Sequence, residues 1–163
     1  MSNELEHSEL LLSNQLCFRL YTASRLIIKS YTPLLTKLGL TYPQYLVMMA
    51  LWEHDRQPVG HVSRRLLLGT NTLTPMLKRM ESMGLITRSR TEGDRRMTIV
   101  ELTELGRKME DEASQIPHTQ VERLVCNGAA DELIPGINIR LDSLISVLKS
   151  LTDDEEPEKS DKA

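Results

Sequence analysis

The sequence is poor in aromatic residues and cysteine, and it contains no apolar run long enough to span a membrane. Its 163 residues include six aromatic residues, all between positions 18 and 52, and two cysteines, Cys17 and Cys126. The first six residues are acidic and lack the cationic start of a signal peptide. These absences predict a reducing, cytoplasmic compartment rather than a disulfide framework. The length predicts one compact domain with helical extensions.

Motifs for metal binding and for thiol turnover are also missing. The four histidines have no ligand spacing with either cysteine, so we expect neither a metal nor a cofactor. They are His7, His54, His61 and His118. No Cys-x-x-Cys motif offers the turnover partner that a thiol peroxidase would use, so we do not expect an enzyme.

The net charge of −3 conceals a strong asymmetry. Residues 60–108 contain ten Lys or Arg against five Asp or Glu, whereas the rest of the chain contains ten against eighteen. A cationic segment in an acidic body orients a protein on a polyanion. The charge distribution therefore favours double-stranded DNA as a partner, despite the low overall charge.

A helix-turn-helix pattern lies within this cationic segment. Residues 59–67 predict its first helix and residues 71–83 its recognition helix, with Gly69 in the turn. Because Pro75 is tolerable only in a first turn, it places the helix start near Asn71. Helical spacing predicts a buried stripe of Leu73, Met76, Leu77 and Met80. The opposite face offers small polar groups and then cations, as expected of a DNA-contacting surface: Thr70, Asn71, Thr72, Thr74, Lys78 and Arg79.

Two β-branched, alternating segments follow the recognition helix, at 85–90 and 96–102. The turn between them carries Asp94, Arg95 and Arg96, and Arg88 lies on the first strand. A hairpin with a cationic tip after a recognition helix is suited to contact phosphates or a minor groove. We therefore include all four residues in the predicted DNA interface.

The rest of the chain has helical periodicity, at 4–38, 43–54, 104–116 and 131–151. Pro33 and Pro117 are expected to kink or restart their helices, and residues 55–58 to form a turn. The predicted fold is mainly α with a small β-hairpin wing, a winged helix-turn-helix flanked by N- and C-terminal dimerisation helices. The predicted divisions are a dimerisation and sensor helix (1–40), a DNA-binding domain (41–106), C-terminal dimerisation helices (107–151) and a disordered acidic tail (152–163).

The terminal helices carry more apolar surface than one small winged helix can cover. A homodimer with intertwined terminal helices would bury this surface. Its two-fold symmetry would also place two recognition helices in successive major grooves of a palindromic operator. The predicted partners are therefore a second copy of the chain and double-stranded DNA, and not a membrane.

Cys17 lies at the edge of the aromatic cluster and has two interpretations. A lone helical cysteine is commonly a small buried hydrophobe. A tyrosine hydroxyl that donates to a thiolate instead stabilises the nucleophilic form of the sulfur. Tyr21, four residues on, can lie beside Cys17, but Tyr31 is about 21 Å along a continuous helix. Tyr31 could reach Cys17 only in an antiparallel dimer.

Several motifs have a family pattern. Asp94-x-Arg96 is followed by Leu102-Thr103-x-x-Gly106. Further matches are NQLCFxLY at 14–21, YxPLL at 31–35, GLTYPQYLV at 39–47, LWE at 51–53 and TLTPxLKR at 72–79. Over about residues 12–151 the chain resembles the MarR family of winged-helix regulators. Within that family it is similar to the OhrR-type repressors that sense organic hydroperoxides, in particular the two-cysteine subgroup.

The resemblance implies a reduced dimer that binds an operator and is released by oxidation. Cys17 would be the peroxide-reactive thiol, hydrogen-bonded by Tyr31 and Tyr42 of the partner chain, with Tyr21 as a further possible donor. Its thiolate would attack the peroxide and become a sulfenic acid, which a second thiol converts to a disulfide. Cys126 is the candidate resolving thiol, bonding between chains.

The resemblance also covers the DNA interface. Lys78 and Arg79 match cationic positions of the family's recognition helix, and Arg96, braced by Asp94, matches its wing arginine. Many OhrR-like chains have Leu-Asp-Ser-Gly before the TLTP run, whereas this chain has Leu68-Gly69-Thr70-Asn71. This departure leaves the operator sequence open.

Two other functions are compatible with parts of the pattern. A MarR-type regulator could be released by a small phenolic ligand, with Cys17 only lining the pocket. A structural coiled-coil adaptor would use the terminal helices but would leave the basic wing unexplained.

Overall fold

The computed structural model describes residues 7–90, 97–128 and 133–153. The chain divides into two compact units, Met1–Gln120 and Val121–Ala163, of which the first contains the winged helix. None of the helices in the described ranges has the length and apolarity of a membrane span.

The described residues form seven α-helices and a three-stranded antiparallel sheet. The helices are α1 Leu16–Leu35, α2 Tyr42–Glu53, α3 Val59–Leu66, α4 Thr70–Ser82, α5 Glu104–Ala113, α6 Gln115–Cys126 and α7 Leu133–Asp153. The strands are β1 Gln57–Pro58, β2 Ile86–Arg90 and β3 Thr98–Leu102, in the order β1-β3-β2. The predicted fold class, mainly helical with a small wing, is confirmed.

The first segment departs from its predicted continuous helix. Ser8–Leu10 and Leu12–Asn14 form short 3-10 turns, and α1 begins only at Leu16. α1 then continues through Pro33 to Leu35, and a 3-10 turn ends at Gly39 with φ of 68°. Thr41 starts α2 with a capping box, in which its N–H donates to Gln44 Oε1 at 2.8 Å.

The prediction that Pro75 lies in the first turn of the recognition helix is wrong, although the predicted helix start near Asn71 lies within one residue of the observed one. Pro75 is the sixth residue of α4, which begins at Thr70. A proline there removes one hydrogen bond to the carbonyl four residues earlier. The buried neighbours Leu73 and Leu77 hold the helix in the core and compensate for the loss.

The predicted turn at residues 55–58 was also only partly right. Gln57 and Pro58 form β1, which pairs with β3 in the register Gln57↔Val100 and Pro58↔Ile99. Pro58 can occupy this strand because β1 lies at the edge of the sheet.

The two ends of the C-terminal region follow the sequence pattern closely. Pro117 is the third residue of α6, so the chain restarts a helix there, as one of the two expected outcomes. α7 continues through Thr152 and Asp153, the first two residues of the predicted tail. Residues 154–163 lie outside the described residues.

The core of the first unit lies between α2, α3, α4 and the sheet. Its fully buried side chains include Met48, Leu51, Val62, Leu73, Leu77, Met80, Ile86 and Val100. The predicted stripe of α4 is therefore buried at Leu73, Leu77 and Met80, and Met76 packs partly buried against the same core. Burial of this stripe orients the polar face of α4 towards solvent.

The base of the hairpin is fixed to the start of α5 by Thr103 and Gly106. Thr103 is the N-cap: its backbone N–H donates to Leu85 O at 3.0 Å, and its hydroxyl accepts from Gly106 N–H at 3.0 Å. A Cβ on Gly106 would lie 2.2 Å from Leu85 O. Only glycine therefore allows α5 to approach the hairpin this closely.

Gly106→Ala is expected to lower the free energy of unfolding by about 2–3 kcal/mol, because the methyl group forces α5 away from the Leu85 carbonyl. Urea unfolding followed by circular dichroism measures the change. Gly60→Ala in α3 is the matched control. Its added Cβ meets no atom nearer than Arg64 Nη1 at 3.9 Å, so the control should lose no stability. Equal effects of the two substitutions would contradict the close-approach argument.

Candidate sensor site and DNA interface

The recognition helix presents a polar, exposed face. α4 begins after Gly69, an N-cap without a side chain, and its buried residues lie on the opposite side. All the DNA-contacting side chains predicted on this helix are exposed: Thr70, Asn71, Thr72, Thr74, Lys78 and Arg79. The face therefore combines hydroxyl and amide groups at the start of the helix with cations one turn further on.

Arg88 occupies a different position from the other predicted DNA contacts. Its guanidinium donates to Glu81 Oε2 at 2.6 and 3.1 Å, and its backbone N–H donates to Glu81 Oε1 at 3.1 Å. The hydrogen bonds and charge of Arg88 hold the pKa of Glu81 below its usual 4.5. This pair joins the last turn of α4 to β2, so it fixes the recognition helix against the wing.

The described part of the wing consists of the strands β2 and β3. β2 and β3 pair in register from Ile86↔Leu102 to Arg90↔Thr98, and Arg90 is exposed at the outer end. Asp94, Arg95 and Arg96 belong to the connecting segment, which lies outside the described residues.

Cys17 is exposed at the second position of α1. Tyr21 is one turn away, and its hydroxyl accepts a hydrogen bond from Arg25 Nη1 at 3.2 Å, with the guanidinium 5.5 Å from the ring centroid. Arg25 therefore orients Tyr21 along the surface of α1.

Three tyrosines form a cluster at the other end of α1. Tyr31 packs edge-on against Tyr42, with ring centroids 5.2 Å apart, and Tyr45 lies 6.4 and 6.5 Å from these two rings. Burial raises the pKa of all three hydroxyls, and the proximity of Tyr42 raises that of Tyr31 further. These hydroxyls are therefore protonated at neutral pH and can donate hydrogen bonds.

The predicted reactive thiol and its predicted donors Tyr31 and Tyr42 do not meet within one chain. Cys17 and Tyr31 lie fourteen residues apart on the continuous helix α1, a separation of about 21 Å. Tyr42 contacts Tyr31 and is therefore also distant from Cys17. One chain supplies the thiol at one end of α1 and the hydroxyl donors at the other end.

Cys126 is exposed and ends α6. It belongs to the second unit, whereas Cys17 belongs to the first. Among the described residues, no group of three or more His, Cys, Asp or Glu is placed to hold a metal ion.

Tyr45 is a member of the cluster that the sequence interpretation did not select. Tyr42, Tyr45, Met49 and Trp52 follow one another at three- and four-residue steps, which places them on one face of α2. That spacing could have identified Tyr45. Tyr45, Met49 and Trp52 also line a cavity of about 300 Å³, together with Ala113 and Pro117.

Comparisons with known proteins agree with this geometry. A family model described as transcriptional regulator SarA/Rot matches residues 29–113. The chain is 50% identical over 119 residues to the organic hydroperoxide resistance transcriptional regulator of Bacillus subtilis (strain 168), covering 73% of this chain and 80% of that protein.

Solved structures of AbfR, a protein of Staphylococcus epidermidis, are also similar. Reduced AbfR bound to DNA has a TM-score of 0.72 at 35% identity, covering 86% of this chain and 94% of that one. Disulfide-formed AbfR has a TM-score of 0.60 at 36% identity, covering 82% and 92%. At nearly equal identity, the fold of this chain is less similar to the disulfide-formed structure than to the DNA-bound structures of reduced and overoxidised AbfR, whose TM-scores are 0.72 and 0.70.

The Glu81–Arg88 pair makes a pH-dependent contribution to stability. Because the folded-state pKa of Glu81 is lowered, the contribution is fully present above its usual value of 4.5. It is lost as the pH falls through the lowered value. The difference in unfolding free energy between wild type and Glu81→Gln should therefore shrink as the pH is lowered from 7 towards 3.

Urea unfolding at a series of pH values measures this difference. Glu110→Gln, at an exposed position of α5, is the matched control that removes a carboxylate without touching the pair. A difference between wild type and Glu81→Gln that stays constant with pH would show that the ion pair does not stabilise the fold.

Proposed function

Because the chain belongs to the MarR family of winged-helix transcriptional regulators, and to its OhrR-type, organic hydroperoxide-sensing branch, we propose that oxidation of Cys17 ends its binding to operator DNA. It acts as a DNA-binding regulator and not as an enzyme. One observation carries the proposal: the exposed thiol and the partly buried hydroxyls of Tyr31 and Tyr42 lie near opposite ends of α1. In an antiparallel dimer, the Cys17 end of each α1 lies beside the Tyr31 end of the partner's α1. Two such sites therefore form, one at each end of the paired helices.

The surface of the terminal helices supports such a homodimer. Of the twenty residues of α1 only Leu35 is buried, although the helix carries Leu16, Leu26, Ile27 and Ile28. α7 likewise exposes Leu133, Ile137, Ile145, Leu148 and Leu151. A second copy would cover both faces.

In the reduced dimer, Tyr31 and Tyr42 of one protomer donate hydrogen bonds to the Cys17 thiolate of its partner. The thiolate sulfur attacks the terminal oxygen of the hydroperoxide and the O–O bond breaks. The alkoxide takes a proton from solvent and leaves as an alcohol, while Cys17 becomes a sulfenic acid. The thiol of the partner's Cys126 then attacks this sulfur, forms an intersubunit disulfide and releases water.

The cavity beside the tyrosine cluster supports an organic hydroperoxide as the inducer. Its walls are largely apolar, and it shares Tyr45 with the cluster. An alkyl or aryl group would bury apolar surface there, which hydrogen peroxide cannot do. The same cavity favours a second candidate function, release of DNA by a small phenolic ligand without oxidation.

On the DNA side, we assign base and phosphate contacts to the exposed face of α4. Lys78 and Arg79 neutralise phosphates, and the hydroxyls and amide at residues 70–74 lie at the helix start that enters the major groove. The wing arginines Arg95 and Arg96, with Asp94, complete the interface in the proposal. Arg88 contributes by bracing α4 through Glu81.

Cys17→Ser should bind operator DNA as tightly as wild type but keep binding it after addition of cumene hydroperoxide, because serine cannot form a sulfenic acid. Fluorescence anisotropy measures this with a duplex selected by the reduced wild-type protein from a randomised library. Wild type should be released, whereas Cys17→Ser should stay bound. Release of Cys17→Ser by the peroxide, or by a phenol such as salicylate at equal concentration, would favour the ligand mechanism instead.

Cys126→Ser separates the two oxidation steps. Wild type treated with cumene hydroperoxide should give a disulfide-linked dimer on a non-reducing gel, and both Cys17→Ser and Cys126→Ser should lack it. If Cys126→Ser kept the linked band, Cys126 would not be the resolving thiol.

Mixing of subunits tests whether the tyrosines act across the dimer. Cys17→Ser homodimers lack the thiol, and Tyr31→Phe/Tyr42→Phe homodimers lack its donors. Heterodimers of the two regain one complete site, in which the thiol of the tyrosine variant meets the tyrosines of the Cys17→Ser chain. Their rate of Cys17 oxidation, followed by mass spectrometry, should exceed that of the tyrosine-variant homodimer at least fivefold. An unchanged rate would place the tyrosines on the same chain as their thiol, or remove them from the site.

A further inference from the structure

The cationic segment that would bind DNA contains neither a cysteine nor an aromatic residue, so a signal from the tyrosine cluster must enter it from another element. α2 carries Tyr42 and Tyr45 of the cluster and packs against α3, β3 and α5 of the cationic segment. Its first turn carries Tyr42 and Tyr45, and its last turn carries Trp52, about 15 Å further along the axis. Six of its twelve residues are buried, so it moves as a packed body and does not bend freely.

The C-terminal end of α2 is tied to the start of α5 by Trp52. Its indole Nε1–H donates to Gly106 O at 2.9 Å, and its ring packs edge-on against Tyr45 with centroids 6.2 Å apart. Gly106 is the residue whose close approach fixes α5 against the Leu85 carbonyl at the base of the hairpin. Trp52 therefore lies between the tyrosine cluster and the base of the wing.

Asp55 makes a second tie, just beyond the end of α2. Its Oδ1 accepts from the backbone N–H groups of Leu102 and Arg56, each at 2.8 Å, and its Oδ2 accepts from Arg107 at 2.6 Å. Burial raises the pKa of Asp55, but these hydrogen bonds outweigh it and hold the pKa below 3.8. The carboxylate is charged at neutral pH and binds the last residue of β3 and the first turns of α5 together.

We propose that Trp52 and Asp55 are positioning residues through which α2 transmits the state of the tyrosine cluster to the wing, an inference that rests on the proposed function. When oxidation of the partner's Cys17 displaces Tyr42, α2 tilts as a unit. Its other end then shifts β3 and α5 through the two ties, and the wing and recognition helix leave their DNA-binding positions. Without the hydrogen bonds of Trp52 and Asp55, Cys17 is oxidised but the wing keeps its position.

The test uses the full-length dimer and the library-selected duplex, with affinity measured in dithiothreitol and after cumene hydroperoxide. The ratio of the oxidised to the reduced Kd is the quantity of interest. Trp52→Phe, which keeps an aromatic ring but removes the N–H donor together with part of the indole, and Asp55→Asn should each lower this ratio at least fivefold. Mass spectrometry should show Cys17 oxidised to the same extent as in wild type.

Glu101→Gln is the matched control. Glu101 lies 3.5 Å from the same Arg107 guanidinium, but it belongs to β3 and not to the segment that follows α2, so its loss should leave the ratio within twofold of wild type. If Asp55→Asn does not fold at the assay temperature, Trp52→Phe decides the question alone.

A merely structural role would give a different result. Both variants would then weaken reduced and oxidised binding by equal factors, and an unchanged ratio would overturn the inference. If wild type itself were not released by the peroxide, the proposed function would fail first, and this inference with it. The two failures are thus distinguishable in one experiment.

Discussion

The length of α1 determines which of the predicted site residues can meet within one chain. A continuous helix from Leu16 to Leu35 separates Cys17 from Tyr31 by about 21 Å, and no side-chain rotation closes such a gap. A site that joins Cys17 to Tyr31 can therefore form only between two chains. The same helix buries a single residue of its own chain, so the surface that needs a partner is also the surface that carries the thiol. Under the proposed function, dimerisation and sensing become one structural event.

Hydrogen bonds and close packing hold the elements of the winged helix together. Hydrogen bonds of Glu81 and Arg88 hold α4 against β2, and the contact of Gly106 with the Leu85 carbonyl holds α5 against the hairpin. Such packed, hydrogen-bonded units move as bodies, because local deformation would leave voids or unpaired polar groups. The unit is thus suited to a change in the spacing of two recognition helices. It is poorly suited to a local rearrangement within one of them.

The sequence predicted the parts of this structure that depend on local periodicity. The buried stripe of α4, the two hairpin strands and the helical arms all follow from spacing within about ten residues. The sequence did not predict the features that depend on contacts between residues distant in the chain. β1 is two residues long and exists only because β3 lies beside it, and Pro75 is tolerated inside α4 because the core holds that helix. The pairing of Arg88 with Glu81, and of Asp55 with Leu102, joins residues that no local pattern connects.

Under the proposed function, the protonation of the tyrosines explains why Cys17 would be activated only in the dimer. Because burial raises the pKa of Tyr31 and Tyr42, both hydroxyls keep their protons at neutral pH and can only stabilise a thiolate, never repel it. An isolated chain holds its Cys17 in solvent without these donors. The proposed thiol is therefore activated only in the assembly that also presents two recognition helices. The dimer that would bind a palindromic operator is then also the form in which Cys17 would react with the peroxide.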